Sequence, residues 1–182
     1  MMSRMDSITL GGGCFWCLEA VFEMVSGVSQ VKSGYTGGSV PHPNYKQVCG
    51  GSTGHAEVVQ IDFDPNIITF EELLEIFFVV HDPTTLNRQG NDVGTQYRSA
   101  VFCHTDGQRE MVLDFIKRFD IYGPWADSIV TEVAPLEIFY PAEAYHDRYF
   151  SRNDEQPYCR VVIAPKLAKF RAQFMSRIAQ SR

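Results

Sequence analysis

Long apolar runs are missing from this chain. Its nearest candidate, residues 76–80, is a short core segment, far below the roughly 20 residues that a membrane helix needs. Basic residues are scarce relative to acidic ones: 16 Lys and Arg stand against 22 Asp and Glu, a net charge of −6. That balance argues against nucleic acid or an anionic membrane as the main partner. The first residues, Met1-Met2-Ser3-Arg4-Met5-Asp6, contain no apolar h-region, so no signal peptide is expected there. Cysteines number five, an odd count that does not suit a secreted disulfide framework. Reduced thiols and a cytoplasmic location are the expectation. Repeats and low-complexity tracts are also absent.

What is present is ordinary globular composition, 45% hydrophobic and 21% charged over 182 residues, enough for one domain with a real core. The expected division is a single domain over residues 1–182, with a core of about 7–163 and a terminal tail and helix from 164. Strands are predicted at 28–35, 55–63, 97–103 and 129–133, from alternation bounded by turn residues. Helices are predicted at 70–80, with Thr69 as N-cap, and at 106–119, with a short one at 142–150. Residues 39–54 and 81–95 read as polar loops, the second long enough to suggest function. The tail after Ser151 reads as irregular until a terminal helix near 167–178. The strand–helix–strand, strand–helix–strand order over residues 7–103 predicts an α+β fold, a two-layer ferredoxin-like α/β plait with long site loops.

Residues 11–17, Gly-Gly-Gly-Cys-Phe-Trp-Cys, carry the strongest chemical signal. Leu18, Val21, Phe22 and Val25 follow at helical spacing, so the glycines make a strand-to-helix turn and put Cys14 in the first helical turn. Free N–H groups and the helix dipole there are expected to lower the pKa of the Cys14 thiol. Phe15 and Trp16 would wall it with aromatic surface. The competing reading is a small, inert, buried thiol. Alternation puts Glu57 on the same strand face as Val59, Ile61 and Phe63, where an ionised carboxylate is costly and a protonated one is favoured. If Glu57 instead lies at a frayed strand start, it faces water. Tyr45 and Tyr97 sit beside loops, and nothing local singles them out. Asp92, in Gln89-Gly90-Asn91-Asp92, reads as turn chemistry.

Taken together, several ordered segments resemble the peptide methionine sulfoxide reductases of the A type. They are Gly12-Gly13-Cys14-Phe15-Trp16, Gly34-Tyr35-Thr36-Gly37-Gly38, Thr53-Gly54-His55-Ala56-Glu57, His81-Asp82-Pro83-Thr84, and Arg88-Gln89-Gly90-Asn91-Asp92 with Gly94-Thr95-Gln96-Tyr97-Arg98-Ser99-Ala100. The resemblance implies Cys14 as the nucleophile on the sulfoxide sulfur and Phe15 and Trp16 as the pocket for the methyl group. It implies Glu57 as the proton donor to the oxygen, Tyr45 and Tyr97 as hydrogen-bond donors to it, and Asp92 as an orienting group. The family acts on the S epimer, free or in peptides and proteins, through a sulfenic acid on the nucleophile, with thioredoxin reducing the final disulfide. No cofactor and no metal are implied.

The resemblance leaves the second thiol less fixed. Cys159, in Gln156-Pro157-Tyr158-Cys159, lies in the tail that many members use for a resolving cysteine, and is the preferred choice. Cys17 replaces the glycine common after Phe-Trp and makes a Cys-x-x-Cys spacing, the alternative. Cys49 or an external thiol are further options, and Cys103 reads as inert. Two readings of other classes compete with a reductase. Cys14 and Cys17 could be half of a zinc site, although no second close pair completes four ligands. A non-catalytic module could instead bind thioether or methylated groups through the aromatic residues.

Overall fold

Strand alternation sets the frame. In the computed structural model, which describes residues 4–180, the chain runs β1 (Asp6–Gly11), α1 (Phe15–Phe22), β2 (Val28–Thr36), α2 (Tyr45–Cys49), β3 (Ala56–Phe63), α3 (Phe70–Val80), β4 (Arg88–Gln89) and β5 (Asp92–Val93). It continues with β6 (Ala100–Cys103), α4 (Asp106–Tyr122), β7 (Glu132–Pro135), β8 (Tyr140–Pro141), α5 (Tyr149–Arg152) and α6 (Ala164–Gln173). Six strands form one sheet in the order β7-β6-β1-β3-β2-β8, and β4 pairs with β5 in a separate hairpin. Among the described residues, only the β6–β7 pairing is parallel. This is the α+β class that the element order predicts.

Burial follows the alternation. Ile8, Leu10, Val59, Ile61 and Phe63 point to one face, where they join Phe22 of α1, Leu73 and Phe77 of α3, Phe115 of α4 and Phe170 of α6 in one buried cluster. The other face buries Ala56, Val58, Ala100 and Phe102 under Leu136 and Phe139. Glu57, between Ala56 and Val58, therefore points to the helical side. α3 begins where predicted: Thr69 caps the Glu72 N–H while the Glu72 carboxylate accepts the Thr69 N–H, a reciprocal capping box.

The structure departs from the sequence reading at its loops and its end. The 39–54 loop contains α2, started by an Asn44–Gln47 capping box. The 97–103 strand starts only at Ala100, because Thr95–Tyr97 forms a 3-10 turn behind Gly94 at φ 148°. The predicted 142–150 helix divides into a 3-10 turn at Ala144–His146 and α5, separated by Arg148 in the left-handed region at φ 50°.

The expected irregular tail is corrected. Cys159–Ile163 forms a π-helical turn that continues directly into α6, and Cys159, Ile163, Leu167 and Phe170 are all buried. Apolar side chains at this spacing outweigh the two prolines: Pro157 stands at the first position of the helical segment, where its missing N–H costs nothing, and Pro165 falls where the π-helical turn passes into α6. Residues 164–173 thus belong to the core rather than to an appendage. Among the described residues, no helix is long and apolar enough to cross a membrane.

Candidate active site

The turn between β1 and α1 is built without side chains. A Cβ on Gly12 would lie 3.0 Å from the His81 ring, and one on Gly13, at φ +84°, would lie 2.6 Å from Gln89. The Gly13 N–H donates to the Tyr97 carbonyl at 3.2 Å. The chain can therefore pass between His81 and Gln89 and present Cys14 as the extended N-cap residue of α1. His81 is buried between the Phe77 carbonyl and the Ser99 hydroxyl (2.5 and 2.7 Å), and burial holds it neutral, down to about 3.

Cys14 is 6% exposed. Burial pushes its thiol well above the ordinary value, and its hydrogen bond to Cys17 and the nearby Glu57 carboxyl push the same way. This corrects the expectation of a depressed Cys14: desolvation outweighs the short helix's dipole, and the first helical N–H, from Phe15, goes to Glu57 Oε2 at 3.1 Å. The lowered thiol is Cys17, at about 7. The Cys14 S–H donates to it, while the Lys166 ammonium favours its anion against the cost of burial. The two sulfurs thus share a proton, which stays on Cys14 while Cys17 gives up the first one.

Glu57 is buried, and desolvation raises it to about 8 against the Phe15 N–H bond, which favours the anion. Its Oε1 is buried without a hydrogen-bond partner in the described structure. At neutral pH this is a protonated carboxyl beside Cys14. Tyr45, first residue of α2, and Tyr97, last of the 3-10 turn, reach the same region. Burial raises both phenols, and the Glu57 charge is the next cause in each. Both hydroxyls also hydrogen-bond the exposed Cys49 thiol, which gives that residue a place at the site.

Aromatic rings close the sides. Phe15 stacks toward Tyr45 at 6.3 Å and lies 4.9 Å from the His146 ring. Trp16 stacks on Tyr149 at 3.6 Å with planes 6° apart, meets Tyr158 edge-on, and donates its N–H to His146 Nδ1 at 3.0 Å. Asp92 Oδ2 accepts the Tyr158 hydroxyl at 2.7 Å. Cys14, Cys17, Glu57, Tyr45, Tyr97, Asp92, Phe15 and Trp16 are therefore brought to one place. Cys159 lies fully buried in the π-helical turn, its thiol raised by burial and by Cys17. Cys103 is buried in β6, pushed up to about 11 by desolvation.

His146, Tyr149, Tyr158 and Glu143, which binds the Tyr35 hydroxyl and the Tyr45 N–H, escape the sequence reading. They sit in short or irregular elements with no periodicity to mark them. A cavity of about 560 Å³ between Glu19, Glu23, Lys32 and Arg148 is lined by none of the candidate residues, so the chemistry belongs to the cysteine turn. Among the described residues, no group of three or more His, Cys, Asp or Glu side chains forms a metal cage, and Cys14 and Cys17 lack the further ligands that zinc needs.

A proton-sharing thiol pair next to a protonated carboxyl can take an oxygen atom from a substrate and release it as water. The family model described as peptide methionine sulfoxide reductase matches residues 6–178. The chain belongs to the peptide methionine sulfoxide reductase A family. It is 53% identical to the peptide methionine sulfoxide reductase MsrA of Polynucleobacter asymbioticus, over 98% of this chain and 94% of that one. Among solved structures, Mxr1 from Saccharomyces cerevisiae in reduced form matches with a TM-score of 0.78 and 36% identity, covering 87% of this chain and 91% of that one. Mxr1 in complex with Trx2 matches at 0.55 and 26%, covering 82% and 87%. The family makes the chain an oxidoreductase, which turns the non-catalytic module away.

Proposed function

We propose that this enzyme reduces the S epimer of methionine sulfoxide, free or in peptides and proteins, through a sulfenic acid on Cys14. The observation that carries the reading is Glu57, a buried carboxyl held protonated and fixed by the Phe15 N–H next to Cys14. The substrate methyl enters between Phe15 and Trp16, and its oxygen meets Glu57, Tyr45 and Tyr97. One sulfur configuration alone then turns the sulfur toward Cys14. Cys14 passes its proton across to Cys17 and attacks sulfur, while Glu57 protonates the departing oxygen and the tyrosines stabilise its charge. The hydroxyl moves from the substrate sulfur to Cys14 as the sulfur–sulfur bond breaks, so methionine leaves reduced by two electrons and Cys14 carries the oxygen as sulfenic acid. Asp92 orients the group through Tyr158.

Cys17 then resolves the sulfenic acid. Its shared proton with Cys14 and its lowered pKa support this over Cys159, which would have to leave the core. Thioredoxin as the final reductant is supported by the Mxr1–Trx2 complex, and it fits a cytoplasmic chain whose described cysteines are free thiols. The β6-β1-β3-β2 order, antiparallel throughout and with α1 and α3 as its crossovers, supports a ferredoxin-like plait. We read the chain as one reductase domain. The test is one turnover on a methionine (S)-sulfoxide peptide without reductant, followed by disulfide mapping. One equivalent of methionine and a Cys14–Cys17 bond are expected, and Cys14→Ser should yield neither. Methionine formation by Cys14→Ser refutes the nucleophile, and a Cys14–Cys159 bond refutes the pairing.

A further inference from the structure

We propose that Tyr158 and Asp92 form a proton relay that deprotonates Cys17 as its sulfur attacks the Cys14 sulfenic acid. The inference rests on the reading of Cys17 as the resolving thiol. The Tyr158 hydroxyl donates to Asp92 Oδ2 at 2.7 Å, and its oxygen lies 3.9 Å from Cys17 Sγ, within reach of a sulfur hydrogen bond. A phenol has one proton. With that proton committed to Asp92, what Tyr158 offers Cys17 is a lone pair, so the chain is directed from Cys17 S–H to Tyr158 O–H to the Asp92 carboxylate.

The scaffold holds this geometry from three sides. Tyr158 precedes the π-helical turn Cys159–Ile163, a kind of element common at functional sites. Its ring is set edge-on against Trp16 at 5.9 Å, and Asp92 is fixed in the β4–β5 hairpin opposite Gln89. The other charged or titratable groups that act on Cys17 are Cys14 from the N-cap of α1, Lys166 from α6, Glu57 from β3 and Cys159 from the π-helical turn. In the resting enzyme the Cys14 S–H also bonds Cys17. Once Cys14 is a sulfenic acid that S–H is gone, and the Tyr158 hydroxyl stays at Cys17.

The step balances. The Cys17–Cys14 sulfur–sulfur bond forms and the Cys14 sulfur–oxygen bond breaks. Cys17 sulfur is oxidised, and the sulfenic sulfur is reduced. The Cys17 proton moves to the Tyr158 oxygen as the Tyr158 proton moves to Asp92. Solvent returns a proton to Glu57 after methionine leaves, the hydroxide then departs as water with that proton, and Asp92 and Glu57 re-equilibrate through solvent. A thiol proton becomes strongly acidic as its sulfur gains a second bond, so a carboxylate at the end of the relay is base enough.

The test follows sulfenic acid and disulfide separately after one turnover without reductant, with dimedone trapping the first and non-reducing mass spectrometry mapping the second. In Tyr158→Phe, which keeps the ring on Trp16, disulfide formation should slow relative to methionine formation by about 10²-fold, the low end for a lost general base. Sulfenic acid should accumulate, and the disulfide rate should become proportional to hydroxide as solvent takes over the proton. Asp92→Asn should give the same pH profile, and it reports on the relay if Tyr158→Phe folds poorly. Unchanged ratios and profiles in both variants, with Cys14–Cys17 still mapped in the parent, overturn the relay and leave the pairing standing. A Cys14–Cys159 bond in the parent overturns the pairing, and the relay falls with it.

Discussion

Glu57 shows most directly how one residue couples stability to chemistry. Its folded value is about 8 against 4.5 for the free group, with burial as the cause. The folded state therefore holds this proton more tightly than the unfolded chain does. The contribution is fully present below about 4.5 and is withdrawn as pH rises through 8, at no more than about 1.4 kcal/mol per pH unit. Glu19, raised to about 7 by burial despite the Ser33 hydroxyl donating to it, works in the same direction. In Glu57→Gln the fall in unfolding free energy between pH 5 and 8 should be shallower than in the parent, measured by urea titration across that range. The same variant should form methionine 10²–10⁴-fold more slowly in a single turnover. Parallel stability curves would mean that Glu57 is not carrying the proton. Strand alternation put this group on the apolar face and so pointed to a raised pKa, but it left open a frayed strand start facing water, and burial of β3 from Ala56 onward decides between them. The ordering of the thiols was not legible, because burial of Cys14 is set by the packed fold and the charge that favours the Cys17 anion comes from Lys166 in α6, far along the chain.

Among the elements, those with strong local grammar were readable and those held by neighbours were not. α3 declares itself through Thr69, Glu72 and its apolar stripe, and β3 through alternation ended by Asp64-Pro65. The 3-10 turn carrying Tyr97 and the break at Arg148 that sets Tyr149 on Trp16 have no such grammar. The β1–α1 turn lies between these cases: its glycines predict a tight turn, but not that His81 and Gln89 fill the space beside it. Gly13→Ala should cost about 1–2 kcal/mol from the left-handed backbone alone. It should cost more from displacing Gln89, whose amide holds both the N–H and the carbonyl of Asp82. Because Gln89 pairs with Asp92 across the hairpin, the substitution should slow disulfide formation as well as lower the melting temperature. A change in melting temperature with an intact disulfide rate would show that the turn and the hairpin are not coupled.

At the scale of the molecule, the C-terminal segment decides whether the enzyme is a core with a mobile arm or one packed unit. Its sequence, interrupted by two prolines, reads as an arm. In the structure Phe170 and Ile163 are fully buried, and the Lys169 ammonium donates to the Val79 carbonyl. Ile178 forms a bridge with Val25, and the Ser26 N–H donates to the Arg177 carbonyl. The same segment carries Lys166, whose charge favours the Cys17 anion, and Tyr158, whose hydroxyl lies beside the Cys17 sulfur. A packed unit predicts that Phe170→Ala costs about 3–5 kcal/mol, as for a large aromatic side chain removed from a core. Loosening α6 should also move Lys166 away and raise the Cys17 value from about 7, read as slower alkylation of Cys17 near neutral pH. A chain ending at Asn153 should lose cooperative unfolding altogether. An arm predicts the reverse: the shortened chain melts normally and still forms one equivalent of methionine, and Phe170→Ala leaves stability unchanged. Circular dichroism melts of the two variants, with alkylation rates for Phe170→Ala, separate these outcomes.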